Sequence, residues 1–335
     1  MGDVCGSYYP SEIDTQRFWV ERDSRAQETI GVPEGFPHKL DSTLAWTRDD
    51  IHSRGREWRT ELSVEDVAVI EAAANAFQDE FGDLSQISPT TFKLPVELSD
   101  RLRQLSDNIY KRNGFQIISG LVPSKADLSG HVINVRTRDN ALGTIAPAFS
   151  DSPLSFHTDH CEVLSFYYRS MPATNGRTVL SSSWQVYNEL AATRPDLLHA
   201  LTEPWVLDSY PILGWQRKRN PELPSPTHAQ LEALDAVQFI AQKNAITLPV
   251  TDGDITFIND MSVFHAREGF QDGHADTARH LLKMYLRDPV QQWEVPDSVQ
   301  ESFSLRYTRR PNDLTPEIWD IEHVPGLEEL SFVNG

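Results

Sequence analysis

Two early stretches of the chain place apolar residues at helical spacing. Between positions 63 and 81, Val67, Ile70, Ala74, Phe77 and Phe81 fall on one stripe, the three-and-four spacing of an amphipathic helix. Ser63 with Asp66 three residues on reads as its capping box, and Gly82 as its stop. A second helix is predicted over 95–112, with Leu98, Leu102, Leu105 and Ile109 on one face and Gly114 beyond it. Residues 1–60 show no period and read as an irregular arm.

From Phe115 onward the pattern becomes that of short strands bounded by Gly, Pro and Asn. The predicted strands are 115–118, 132–135, 163–168, 178–181, 205–207, 247–250, 254–258, 262–266 and 279–287. Helices interrupt them at 184–192, capped by Ser182 or Ser183, and at 194–201. A longer helix opens on Thr227 and Gln230, with Leu231, Leu234, Val237, Ile240 and Ala241 as its apolar face. Residues 121–151 are weakly patterned and read as a lid or as a plain connection. Residues 211–226 read as an exposed loop, and the tail after Asp288 carries Trp293, Phe303, Tyr307 and Trp319 without a period. The expected class is mainly β with helices (α+β), a double-sheet jelly roll with N-terminal helices and an inserted helix.

Composition narrows the function. Lys and Arg number 30 against 49 Asp and Glu, a net charge of −19, which argues against nucleic acid or an anionic membrane as partner. Two cysteines, Cys5 and Cys161, cannot build a disulfide framework or a cysteine zinc site. No apolar run approaches the roughly 18 residues of a membrane-spanning helix. The opening Met1-Gly2-Asp3-Val4-Cys5-Gly6 has Gly6 where myristoylation wants Ser or Thr. Nothing resembles a signal peptide, so a cytoplasmic protein is expected.

The candidate chemistry lies in Ser155-Phe156-His157-Thr158-Asp159-His160. A histidine and a carboxylate two apart on a strand share a face. His265, 108 positions on (265 − 157), follows a turn and strand beginning at Gly253. Two His and one carboxylate with open positions is the arrangement of non-haem Fe(II) oxygenases. His160 should face away from His157, His274 lies in a Gly- and Asp-rich loop, and His280 should oppose Arg279. The two halves of the site meet only if the intervening strands fold back, which implies one domain over 1–335: an arm and helices (1–112), a core (113–289) and a tail (290–335). Arg279, 14 positions past His265 (279 − 265), offers a planar charged fork for the far carboxylate of a 2-oxo acid, or else forms a structural salt bridge. Thr178 can add a hydroxyl to the same carboxylate, or serve only as a β-branched strand residue.

Five motifs carry a resemblance: Phe156-His157-Thr158-Asp159, Gly176-Arg177-Thr178-Val179-Leu180-Ser181-Ser182, Gly253-Asp254-Ile255-Thr256-Phe257-Ile258-Asn259, Val263-Phe264-His265-Ala266-Arg267-Glu268, and Arg279-His280-Leu281-Leu282-Lys283-Met284-Tyr285-Leu286-Arg287-Asp288. In this order they resemble the taurine dioxygenase (TauD/TfdA) family, clavaminate synthase-like, in its fungal-type branch. The resemblance spans about residues 113–289. It implies a double-stranded β-helix with Fe(II) on His157, Asp159 and His265, and 2-oxoglutarate on Thr178 and Arg279, with O2 as oxidant. No catalytic residue beyond the iron ligands is implied. The implied reaction oxidises an unactivated C–H bond of a small molecule, an amino acid or secondary-metabolite intermediate, releasing succinate and CO2; hydroxylation is the default outcome.

The chain departs from the family in three places. Asn175-Gly176-Arg177 stands where Gly-Gly is usual, Lys283 where relatives often carry a second arginine, and the 120–155 segment is short. His160, Cys161, Arg136, Arg138 and Tyr187 are expected near the mouth of the site or as ordinary structural residues. Two other classes remain open at this stage: a metal-dependent hydrolase on the same triad, and a non-catalytic jelly-roll binding protein.

Overall fold

A computed structural model of the chain describes residues 12–25, 30–82, 86–121, 132–136, 150–159, 161–206, 222–272, 279–304 and 307. Its helices are α1 (Glu12–Arg25), α2 (Arg48–Ser53), α3 (Val64–Glu80), α4 (Val96–Asp107), α5 (Ser183–Thr193), α6 (Pro195–Thr202), α7 (His228–Asn244) and α8 (Asp297–Ser304). Its strands are β1 (Arg59–Glu61), β2 (Phe115–Ser119), β3 (Val132–Arg136), β4 (Leu154–His157), β5 (Val163–Ser170), β6 (Thr174–Asn175), β7 (Thr178–Ser182), β8 (Ile246–Thr247), β9 (Ile255–Asn259), β10 (Val263–Arg267), β11 (Phe270–Gln271) and β12 (His280–Leu286).

Six strands form one sheet in the order β1-β2-β9-β5-β12-β3, and four form a second in the order β4-β10-β7-β8. β11 and β6 pair apart from both. Only β1 and β2 run parallel; the other pairings are antiparallel. The two larger sheets face each other. Phe115, Ile117, Leu164, Phe166, Tyr168, Ile258 and Leu281 from the first pack with Leu180, Ile246 and Val263 from the second. Strand alternation sends every second residue into this layer, and each large apolar side chain buried there contributes roughly 1.5–3 kcal/mol.

Short-range signals were met closely. Ser63 and Asp66 form the capping box of α3, and Thr227 and Gln230 that of α7. Ser182 caps α5. The predicted second helix is α4 followed by one π-type turn, Asn108–Arg112. Gly114 then turns the chain at φ +77°, where a Cβ would lie 2.6 Å from Val263 Cγ2; only glycine fits.

Four expectations are corrected. The N-terminal arm is not irregular throughout: it forms α1, α2 and β1. Trp46, Ile51 and Trp58 from it join the core between the sheets, and Trp46 Nε1 donates to the Asn113 carbonyl at 2.7 Å. The helix α7 presents a different face from the one predicted. Ala233, Ala236, Phe239, Ile240 and Ala241 are buried, while Leu231 and Leu234 are 46% and 41% exposed. Alanines let the helix sit close to α5 and α6, which turns the two leucines toward solvent. The strand predicted over 247–250 shrinks to β8, and residues 205 and 206 are not in a strand.

Together α5, α6 and α7 build an apolar layer on the outer face of the four-stranded sheet, where Phe156 and Phe264 meet Val186, Leu190, Leu197, Phe239 and Ile240. Most of the predicted lid, most of the 211–226 loop, and Arg138, His160, His274 and Trp319 lie outside the described residues, as does the side chain of Arg136.

Candidate metal centre

The two histidines come from neighbouring antiparallel strands. His157 on β4 stands directly opposite His265 on β10, with ring centroids 4.1 Å apart. Asp159 reaches them differently from the prediction. β4 ends at His157, so His157 and Asp159 do not share a strand face. Asp159 sits in the turn that follows, held because Asp260 Oδ2 accepts its backbone N–H at 2.6 Å and that of Cys161 at 3.4 Å. One donor atom from each of His157, Asp159 and His265 lies within 4.8 Å of the others.

A polar group stands behind each imidazole. His157 Nδ1 lies 2.7 Å from the Ser155 carbonyl, so Nδ1 carries the proton and Nε2 keeps its lone pair. Burial, reinforced by neighbouring His265, pushes the His157 pKa down to about 3; the ring is neutral, the form that ligates a metal. His265 Nε2 is 3.6 Å from Asp159 Oδ2, and its Nδ1 faces Asp260 Oδ1 at 3.5 Å. Neither His265 Nδ1 nor Asp260 Oδ1 makes a hydrogen bond at that separation, so Asp260 stands behind the ring as a nearby carboxylate.

Asp159 is fully buried. Burial works against its charge, but Lys283 foremost outweighs that and holds the carboxyl below its usual range. Lys283 Nζ is 2.6 Å from Oδ2. Oδ1 is buried without a hydrogen-bond partner. A buried carboxylate with a bare oxygen, beside two imidazoles, is a donor set suited to divalent iron, and the residues present fit that ion.

A second polar region lies where β7, β11 and the start of β12 meet. Arg279 is 4% exposed; its Nε donates to the Gly176 carbonyl at 3.3 Å and its guanidinium lies 5.4 Å from the Phe270 ring. Among the described residues no carboxylate forms an ion pair with its guanidinium, since Asp272 bonds instead to the Arg279 backbone N–H. Burial pushes its pKa down to about 10, so it remains a cation at neutral pH. Thr178 is buried, with Oγ1 2.8 Å from the Tyr168 hydroxyl. Arg267 stands on the other side of Phe270, 5.0 Å from the ring, and its guanidinium donates to the Ser150 and Ser152 carbonyls ahead of β4.

Sequence reasoning missed three residues around these groups, Asp260, Tyr168 and Gln238, and the contact of Lys283 with Asp159. Asp260 reads as a turn residue and Tyr168 as one aromatic of a strand, so their roles appear only after folding. Cys161 is buried near Asp260, which with burial pushes its thiol pKa up. Tyr187 is not near the triad: it packs in the outer helical layer and donates to the Pro37 carbonyl. No described helix is long and apolar enough to cross a membrane.

Comparison with known proteins points one way. The sequence model of the "Taurine catabolism dioxygenase TauD, TfdA family" matches residues 80–217. The "Taurine hydroxylase-like protein SAT17" of Stachybotrys chartarum (strain CBS 109288 / IBT 7711) is 31% identical over 350 residues, covering 86% of this chain and 89% of that protein. Among solved structures, asparagine oxygenase in complex with Fe(II), 2S,3S-3-hydroxyasparagine and succinate aligns at a TM-score of 0.50 and 13% identity, covering 69% of this chain and 93% of its own. Another crystal structure of asparagine oxygenase aligns at 0.50 and 13% identity over 68% and 92%.

Proposed function

The chain belongs to the TauD/TfdA family, dioxygenases that use Fe(II), 2-oxoglutarate and O2, and we propose that His157, Asp159 and His265 hold its iron and that Arg279 and Thr178 hold its 2-oxoglutarate. The two facing sheets are then the halves of a double-stranded β-helix. When bound, the iron couples decarboxylation of 2-oxoglutarate to succinate and CO2 with insertion of oxygen into a substrate C–H bond.

The chain's own residues supply placement and charge. The Ser155 carbonyl holds the His157 ring with its proton-bearing nitrogen turned away from the triad, and Asp260 holds the backbone that presents Asp159, with the His265 ring nearby. Lys283 keeps Asp159 ionised in a buried setting. Arg279 offers its fork to the far carboxylate of the co-substrate, with Thr178 beside it, and Phe270 keeps that fork in place. The enclosing apolar core excludes water, which strengthens each of these charge contacts. As substrate we infer a small carboxylate- or amine-bearing metabolite, an amino acid or a secondary-metabolite intermediate, with hydroxylation as the outcome.

The observation that carries the reading is Asp159: a buried carboxylate with one unpartnered oxygen, set against two imidazoles. A hydrolase would need the triad but would leave Arg279 without a role. The test is oxygen uptake and succinate formation by the full chain with Fe(II) and 2-oxoglutarate, first alone and then with a panel of amino acids. Succinate that depends on both additions supports the reading; neither oxygen uptake nor succinate under any condition overturns it.

A further inference from the structure

Among the described residues β4, which carries His157, is an edge strand of its sheet. Only two register pairs tie it to β10, with a shift between them. An edge strand shows one row of backbone groups to whatever lies outside. Here that place is taken by a side chain from a helix. Gln238 of α7 accepts from the Phe156 N–H through Oε1 at 3.0 Å and donates to the Phe156 carbonyl through Nε2 at 2.8 Å. A carboxamide bonded to both backbone groups of one residue reproduces the pairing a neighbouring strand would give.

The residue so held lies between two parts of the metal centre. On one side is Ser155, whose carbonyl sets the His157 tautomer; on the other is His157 itself. The Phe156 side chain is fastened as well, in the apolar layer beneath α7. Most of the buried face of α7 is Ala, Phe and Ile, so a partly buried amide there would be costly without partners.

We propose that Gln238 is a positioning residue for the metal centre: through Phe156 it holds the backbone that presents His157 and the carbonyl that orients its ring. This rests on the metal reading above and extends it to a residue that touches none of the three ligands. A plain helix-to-sheet staple would affect stability but leave metal binding alone, so the two roles can be separated.

The full chain is titrated with Co(II), following the ligand-field absorption, and melted separately without metal. Gln238→Met keeps the length and loses both hydrogen bonds; Gln238→Glu can accept from Phe156 N–H but sets an acceptor against its carbonyl. Both variants are expected to bind Co(II) about tenfold more weakly, the lower end of what orienting partners contribute, with an altered spectrum. A Gln238→Met chain that binds within about twofold of wild type, with the same spectrum, overturns the inference whatever its melting temperature. Should that variant not fold, the same criterion applied to Gln238→Glu decides. A wild-type chain that takes up no Co(II) overturns the metal reading and this inference together.

Discussion

Lys283 Nζ lies 2.6 Å from Asp159 Oδ2, so the carboxylate of the triad already has a cation on one oxygen and a bare second oxygen. Both groups are buried, and removing one partner of such a pair leaves an uncompensated charge. Lys283→Met should therefore destabilise the metal-free protein by about 3–5 kcal/mol. Added Co(II) should restore much of that loss, because the ion replaces the missing positive charge. Melting with and without Co(II) checks it; equal melting temperatures for variant and wild type in the absence of metal would show that the pair is not stabilising.

Asp260 touches both halves of the centre, through the Asp159 N–H and the His265 ring. Asp260→Asn cannot accept those contacts with both side-chain ends, and metal affinity should fall about 10- to 100-fold. His157→Ala and Asp159→Ala should abolish Fe(II)-dependent succinate formation altogether. Equilibrium dialysis with Co(II) and succinate assays distinguish the graded loss from the complete one; wild-type turnover in either alanine variant would remove that residue from the ligand set.

Arg279→Ala should raise the KM for 2-oxoglutarate with little change in Co(II) binding. Loss of a charged, buried fork should cost roughly 2–4 kcal/mol, or about 30- to 900-fold. The pH dependence follows from the sign of the shift. The folded pKa, about 10, lies below the ordinary 12.5, so the unfolded chain keeps this proton to higher pH than the folded one. Arg279 thus adds no slope to stability at neutral pH and favours folding as pH rises from about 10. Co-substrate binding runs the opposite way: KM should stay flat to about pH 9 and climb above 10 as the charge is lost. A KM that is unchanged in the alanine variant would free Arg279 from this role.

Gly176→Ala should disturb the same pocket from a distance. Gly176 has φ +71°, and an added Cβ would lie 2.7 Å from Pro172 Cγ and 2.9 Å from Phe270 Cβ. Phe270 lies beside both guanidiniums, and the Gly176 carbonyl accepts from Arg279. The expected cost is about 1–3 kcal/mol of stability together with a raised 2-oxoglutarate KM. Gly35→Ala is the control: it shares a positive φ, +83°, but meets nothing within 4 Å. Melting and steady-state kinetics on both variants decide; a KM that moves equally in both would mean the pocket is not what Gly176 protects.

The parts legible from sequence were those written locally. Two capping boxes, the α5 cap and the motif around His157 needed only a few neighbouring residues. Where the outcome depended on distant partners, the pattern was silent or misleading. α1 buries Phe18 but leaves Ile13 and Val20 exposed, so no apolar stripe marks it. β1 is three residues long and exists through its parallel pairing with β2. Asp159 was assigned to a strand because two-residue spacing suggests one; the fold instead uses Asp260, about a hundred residues away, to turn it inward. Arg279 reads as fork or salt bridge from its sequence alone, because the groups around it, the Gly176 carbonyl and the Phe270 ring, are brought in by other strands.

The helices α5 to α7 leave their sheet at Ser182 and come back at Ile246, beside the strand they left, with Val179 against Thr247 and Leu180 against Ile246. In topological terms the excursion is detachable: among the described residues, none between Ser183 and Ala245 takes part in a strand pairing. What would vanish, with the apolar layer over Phe156 and Phe264, is the amide that closes the open flank at Phe156. An insertion outside the strand ladders thereby reaches the cradle they enclose, and variation along α7 is constrained at that handhold as well as on its buried apolar face.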